Sequence, residues 1–351
     1  MSLPFATPAL PGTGGRIGPG PEDFRVQEIP AYSPQGEGAH CFVRIRKTGI
    51  TSFEAVARLA RAVGIRPGDI GMAGIKDRHA VAEQWLSLPD ARPDEVLALE
   101  LPDLEVLEAA LHPQKLRTGH LRGNRFRIRL VECRAEDALD RATRVLAQLV
   151  RTGFYHFFGP QRFGRDGRNA ELGRALLAGG PPPRDRRTRR LVLSALQSEL
   201  FNDYLVERCQ AAPLDRPLAG EIVQRTDSGG LFEASDLEEV GDRMAAGAVV
   251  PTGPLFGPKL KRAPEGSSPW ALEERVLARS GLQLSDFQRF RKLAPGGRRP
   301  LVVRPTEVAA SADEDTVRVQ FTLPPGAYAT VLLRELTKTP DAALRPAVEP
   351  G

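Results

Sequence analysis

Phe126-Arg127-Ile128-Arg129-Leu130-Val131 alternates strictly, with Phe, Ile and Leu on one face and arginines on the other. Period two is the signature of a strand half buried in a sheet. Residues 137–150 follow with apolar positions at helical spacing, so this stretch predicts a strand feeding an amphipathic helix. Working outward, the same signatures recur without regular strand–helix alternation. Phe24-Arg25-Val26-Gln27-Glu28-Ile29 and residues 40–47 predict strands. Thr51 predicts a helix N-cap, with Glu54 closing a capping box and Phe53, Val56, Ala57, Leu59, Ala60 and Val63 giving an apolar stripe. Asp69-Ile70-Gly71-Met72-Ala73-Gly74-Ile75 leads into a polar turn and Gln84-Trp85-Leu86-Ser87-Leu88 leaves it, which sets residues 76–80 in a loop. Residues 316–323 alternate again and end at Pro324-Pro325-Gly326, before a helix over 328–336. This mixture predicts an α+β fold.

A chain of 351 residues favours two domains. From 154 to 304 the pattern turns predominantly helical, most clearly over 191–208. Residues 154–304 are therefore expected to form an inserted domain, with 1–153 and 305–351 as the first part and the return segment of another. Pro181-Pro182-Pro183 followed by Arg184-Asp185-Arg186-Arg187 reads as a stiff basic connector, and 251–269 as a second irregular stretch. Gly12, Gly14, Gly15 and Gly18 have the look of a phosphate-binding loop. No apolar strand precedes them, however, and Pro19 and Pro21 follow, so a mobile terminal arm is expected, with order beginning near Phe24.

Composition excludes several classes. Apolar residues make up 41% and charged residues 26% of the chain, and no apolar run reaches the roughly 18 residues of a membrane span. The N-terminus lacks the features of a secretory signal, so a cytoplasmic protein is expected. Cys41, Cys133 and Cys209 are too scattered for a disulfide framework or a metal site and read as free thiols. With no HExxH and no deaminase-type zinc signature, no metal is expected. The net charge is only +5, from 49 basic and 44 acidic residues. Its distribution says more: residues 117–129, 162–174, 184–190 and 259–262 are basic, while 94–108 and 233–242 are acidic. Separated basic stripes suit a phosphate backbone, although the solvated arginines of an Arg-preferring genome, or a surface for acidic proteins, would look the same.

Asp77 stands in a Gly-Lys-Asp-type turn, where an aspartate is ordinarily a hydrogen-bonded turn residue. Lys76 and Arg78 flank it as cations able to keep a carboxylate ionised or to hold phosphate oxygens. Asn124 could be a left-handed turn residue, or its amide could read a base edge. Phe24 and Phe126, alternating with apolar neighbours, read as core residues on pattern alone.

Five blocks change these weights: Pro21-Glu22-Asp23-Phe24-Arg25-Val26-Gln27-Glu28; Ala73-Gly74-Ile75-Lys76-Asp77-Arg78-His79-Ala80-Val81; Gly123-Asn124-Arg125-Phe126; Phe157-Phe158-Gly159-Pro160-Gln161-Arg162-Phe163-Gly164; and Leu323-Pro324-Pro325-Gly326-Ala327-Tyr328-Ala329-Thr330 continuing to Leu336. In kind and order they resemble the tRNA pseudouridine synthase D (TruD) family, and residues 194–202 look like the helical marker of its inserted domain. The resemblance implies a catalytic domain with a mixed or antiparallel sheet, formed by both ends of the chain and interrupted by the helix-rich insertion. It implies isomerisation of uridine to pseudouridine in tRNA, at uridine 13 in bacterial members, with Asp77 as covalent nucleophile and no cofactor. It also assigns substrate contacts to Phe24, Lys76, Asn124, Phe126 and Tyr328, Phe126 being the residue that packs on the target base. Arg78, Arg162, Arg165, Arg186 and Arg187 are then candidate contacts to the RNA backbone, and a monomer is expected. One departure stands out: relatives often carry a lysine three residues before the first block, where this chain has Gly18 and Arg16 is the nearest cation. The competing reading is a noncatalytic RNA-binding protein on the same scaffold. A methyltransferase would need a glycine-rich cofactor turn that the chain lacks.

Overall fold

The computed structural model describes residues 3–133, 136–164 and 166–339. The chain divides into two compact units, residues 9–151 with 305–351, and residues 1–8 with 152–304. In chain order, the first unit opens with β1 (Arg16–Ile17), β2 (Phe24–Pro30), β3 (His40–Thr48), α1 (Ser52–Val63), β4 (Gly71–Met72) and β5 (Val81–Pro89). It continues with α2 (Pro93–Leu97), β6 (Leu104–His112), β7 (Leu121–Val131) and α3 (Ala138–Thr152). The other unit holds β8 (Phe154–Tyr155), α4 (Asn169–Leu177), α5 (Arg186–Ala211), β9 (Ile222–Arg225), β10 (Leu231–Glu233) and α6 (Leu237–Ala245). After β11 (Val249–Leu255), α7 (Ser268–Ser280), β12 (Gly297–Pro300) and β13 (Val302–Val303), the chain returns with β14 (Thr306–Asp313), β15 (Thr316–Leu323) and α8 (Ala329–Thr337).

The first unit is built on a mixed sheet ordered β14-β15-β7-β2-β5-β3-β6, with β1 added to β7 and β4 to β5. Only β2 and β5 run parallel; the other pairs are antiparallel. The α+β class is thus the observed one. The alternation in β7 sorts as read: Phe126, Ile128 and Leu130 are buried, whereas Arg127 is exposed and Arg125 and Arg129 are half-buried. On β3 and β5 the buried face presents Cys41, Val43, Ile45, Leu86 and Leu88, and α1 packs Ala55, Val56, Leu59 and Ala60 against it. The Thr51–Glu54 capping box forms, with the Thr51 hydroxyl accepting from the Glu54 amide at 3.1 Å and the Glu54 carboxylate accepting from the Thr51 amide at 2.6 Å. The buried stripe of α1 is offset from the expected one. Phe53 and Ala57 lie outside it and are exposed, because the packed positions are 52, 55, 56, 59 and 60.

The N-terminal segment corrects another expectation. Residues 12–18 are not a mobile arm: the Thr13 and Gly14 amides donate to the Leu336 and Thr337 carbonyls at 2.9 and 3.1 Å, and the Gly18 amide donates to the Arg129 carbonyl at 3.0 Å. Glycine is used here for close approach, since a Cβ at Gly15 would stand 2.5 Å from the Val131 carbonyl oxygen and one at Gly12 2.4 Å from that of Thr337.

The other unit is less purely helical than its pattern suggested. It carries a four-stranded sheet, β10-β9-β11-β12, beside its helices, and the stretch read as irregular from 251 begins inside β11. The basic run at 184–190 is mostly not a connector: α5 starts at Arg186, capped by the Asp185 carboxylate, which accepts from the Thr188 amide at 2.8 Å. Phe157 and Phe158 are buried. Asn202 brackets Phe158, accepting from its amide at 2.8 Å and donating to its carbonyl at 3.0 Å.

Candidate active site

The loop between β4 and β5 is fixed from three sides. From the entry to α1, the Ser52 hydroxyl accepts from the Lys76 amide at 2.9 Å and donates to the Gln84 side-chain oxygen of β5 at 2.7 Å. From the end of β3, the Lys47 ammonium donates to the Asp77 carbonyl and, at 2.7 Å, to the Ile50 carbonyl. From β2 and β7, where Glu28 and Asn124 face each other in register, two side chains receive Lys76. Its ammonium pairs with Glu28 at 2.7 Å and donates to the Asn124 side-chain oxygen at 2.7 Å. Glu28 is itself held, its other oxygen accepting from the Trp85 amide at 3.1 Å.

These contacts give the residues predicted from sequence different standings. Asp77 is exposed on a loop whose backbone is tied down, the arrangement a nucleophile needs to meet an extruded base. Lys76, by contrast, is buried, with Glu28 as its ion-pair partner. Arg78 is exposed and pairs with Glu54 of the α1 capping box, so a phosphate would have to compete with that carboxylate. Asn124 lies within β7 and not in a left-handed turn. Because an ammonium has only protons to give, the amide oxygen of Asn124 must face Lys76, which leaves its NH2 group as the donor available to a base carbonyl.

The aromatic candidates form a layer. Phe24 and Phe126 are 6% and 7% exposed, with their rings in edge contact at 6.0 Å, and Phe126 lies 5.4 Å from Phe321. They are core residues with little exposed surface. Tyr328 is the N-cap residue of α8, half-buried in the turn that follows β15, whose end residue Leu323 pairs with Asn124.

The basic candidates are scattered. Arg162 donates to the Ser198 hydroxyl at 3.0 Å. Arg186 and Arg187 are exposed in the first turn of α5. Arg165 lies outside the described residues. On β7, Arg129 pairs with Asp23 at 2.6 Å and Arg125 with Glu307 at 2.8 Å, so two of the five arginines in the 117–129 segment are already matched by carboxylates. Gly18 fits its place through having no side chain: a Cβ there would meet the Asp23 carboxylate at 2.2 Å.

Sequence reasoning missed Glu28, Lys47, Ser52 and Gln84. A signal for two of them existed. In Cys41-x-Val43-x-Ile45-x-Lys47 and Gln84-x-Leu86-x-Leu88, period two sets a lysine and a glutamine in rows that are otherwise apolar. Ser52 stands inside the cap motif and looks like an ordinary first-turn residue.

A profile of the tRNA pseudouridine synthase D (TruD) family matches residues 4–182 and 185–336 of this chain. The chain belongs to that family, a family of isomerases. Its relatives include the tRNA pseudouridine synthase D of Anaeromyxobacter sp. strain Fw109-5, 48% identical over 341 residues that cover 95% of this chain and 96% of that protein. The protein of the same name from Thermus thermophilus is 40% identical over 336 residues, covering 95% and 92%. That from Geotalea daltonii is 37% identical over 400 residues, covering 96% and 100%. In fold, the chain resembles the crystal structure of the putative tRNA pseudouridine synthase D from Methanosarcina mazei, with a TM-score of 0.77 at 22% identity over 95% of this chain and 96% of that one.

Proposed function

We propose that this chain isomerises uridine to pseudouridine in tRNA, at uridine 13, by covalent catalysis through Asp77. Family membership supports the reaction class, and the observation that carries the residue assignment is the exposed Asp77 on a backbone held by Ser52 and Lys47. A carboxylate oxygen attacks either the anomeric carbon of the ribose or carbon 6 of uracil. The glycosidic bond from N1 breaks, the base turns, carbon 5 bonds to the ribose and gives up its proton while N1 gains one, and the bond to the Asp77 oxygen breaks, which restores the free carboxylate. Atoms balance without donor or cofactor, and covalent attack divides one hard step into easier ones.

The base must leave its stack to reach Asp77. The NH2 group of Asn124, oriented by Lys76, then serves a uracil carbonyl, with Phe126 and Phe24 as the apolar surface beside it and Tyr328 as a further contact. Residues 154–304, as an inserted domain, grip tRNA through Arg186 and Arg187. Tritium release from carbon-5-labelled uridine in tRNA tests the reaction, and mapping pseudouridine in cellular RNA with and without the protein tests the position. A map in which position 13 is unchanged by loss of the protein would sink that assignment.

A further inference from the structure

We propose that Lys47 is a positioning residue for the nucleophile, clamping the main chain of Asp77 to the entry of α1 and so setting the rate of the chemical step. The inference rests on Asp77 being the nucleophile.

Lys47 is fully buried at the end of a row that is otherwise apolar, Cys41, Val43 and Ile45. For packing alone a leucine or methionine would serve there, without the penalty of removing an ammonium from water. No carboxylate stands within ion-pairing distance of it among the described residues; the charge is met instead by the carbonyls of Ile50 and Asp77. One ammonium thus joins the end of β3, the turn before α1 and the nucleophile loop.

The second anchor is on the neighbouring residue. Ser52 holds the Lys76 amide while Lys47 holds the Asp77 carbonyl, so both ends of the Lys76-Asp77 dipeptide are pinned. The backbone dihedrals of both residues lie between those two atoms, which leaves mainly the side-chain torsions of Asp77 free. An error of about 1 Å in a reacting group can slow a reaction about 100-fold, and these two hydrogen bonds oppose such an error. Burial lowers the Lys47 ammonium to about 8, with Asp77 and Glu54 raising it and Lys76 and Arg78 lowering it further.

The test uses the full chain and measures single-turnover rate at saturating tRNA together with tRNA affinity. Lys47→Met is expected to slow the chemical step about 100-fold with affinity nearly unchanged, because affinity comes mainly from phosphate contacts. A folded Lys47→Met protein with the parental rate overturns the proposal, as does one that loses affinity in the same proportion as rate. If that variant fails to fold, the parental protein still decides. Its rate should fall as pH rises through about 8, as Lys47 loses the charge that strengthens its two hydrogen bonds to carbonyls; a level rate through that range overturns the clamp. Asp77→Asn is measured beside these. Activity retained there removes Asp77 from the mechanism, whereas an inactive Asp77→Asn with a normal Lys47→Met removes only the clamp.

Discussion

The Asp77 loop and the start of α5 both concentrate charge, and they use it in opposite ways. At the loop, Lys47 and Lys76 are buried and each donates to defined partners, two carbonyls for one and a carboxylate and an amide for the other. At α5, Arg186, Arg187 and Arg190 are exposed, and they sit where the helix dipole already presents positive charge, an arrangement that does not help the helix form. Buried charges of the first kind fix geometry, and their loss is felt in rate and stability. Exposed charges of the second kind attract a polyanion at long range, and their loss is felt in salt-dependent affinity. Arg189 belongs to neither group. Its guanidinium donates to the Pro183 and Arg184 carbonyls, so it shapes the turn before the helix.

The largest effect expected is on the chemistry itself. Asp77→Asn should lower the isomerisation rate by at least about 10⁴-fold, as loss of a nucleophile does elsewhere, with melting temperature and tRNA affinity close to parental because the side chain is exposed. Near-normal tritium release from a verified Asp77→Asn preparation would end the covalent reading.

Next in size is the buried pair. Lys76→Met leaves Glu28, whose side chain is 1% exposed, without its ion-pair partner. Breaking such a pair typically destabilises by about 3–5 kcal/mol, so a marked drop in melting temperature is expected. Arg78→Ala, at an exposed pair with Glu54, should leave melting nearly unchanged. Equal losses in the two variants would show that burial does not separate them.

How much of this was legible in the sequence follows from how local each cause is. The Thr51–Glu54 cap, the alternation of β7 and β15, and the position of Asp77 in a loop are set by neighbours a few residues apart, and the pattern carried them. The α1 stripe came out rotated, since Phe53 and Ala57 are apolar but face away from β3 and β5. The N-terminal glycines looked mobile because their partners, at Arg129, Val131, Leu336 and Thr337, lie more than a hundred residues away. The Glu28–Lys76–Asn124 network joins three blocks that were each visible, but nothing local told that the lysine would turn from its neighbouring aspartate to a glutamate on another strand.

Phe126 carries a smaller, more discriminating prediction. Its 7% exposure within a layer with Phe24 and Phe321 means that Phe126→Ala would remove core volume, at about 3–5 kcal/mol of stability, and so could not isolate a role toward substrate. Phe126→Leu keeps an apolar side chain in the layer and removes only the ring. If the ring receives the base, single-turnover rate should fall by an amount equivalent to about 1–3 kcal/mol, the range for stacking on one base, while melting moves little. An unchanged rate would leave Phe126 as a core residue alone.

The smallest effect tests the other half of the comparison. Replacing Arg186, Arg187 and Arg190 by Ala should weaken tRNA binding and flatten its salt dependence, since each phosphate no longer neutralised takes about 0.7–0.9 off the slope of log affinity against log salt. The rate at saturating tRNA should stay parental, because saturation offsets a loss of affinity that leaves the chemical step untouched. Arg189→Ala is the control: its donors are committed to carbonyls of the preceding turn, so it should change melting more than slope. Identical slopes for the triple variant and the parental protein would show that these arginines do not meet the RNA backbone. A rate loss at saturation would show instead that the two charged regions are not separable in function.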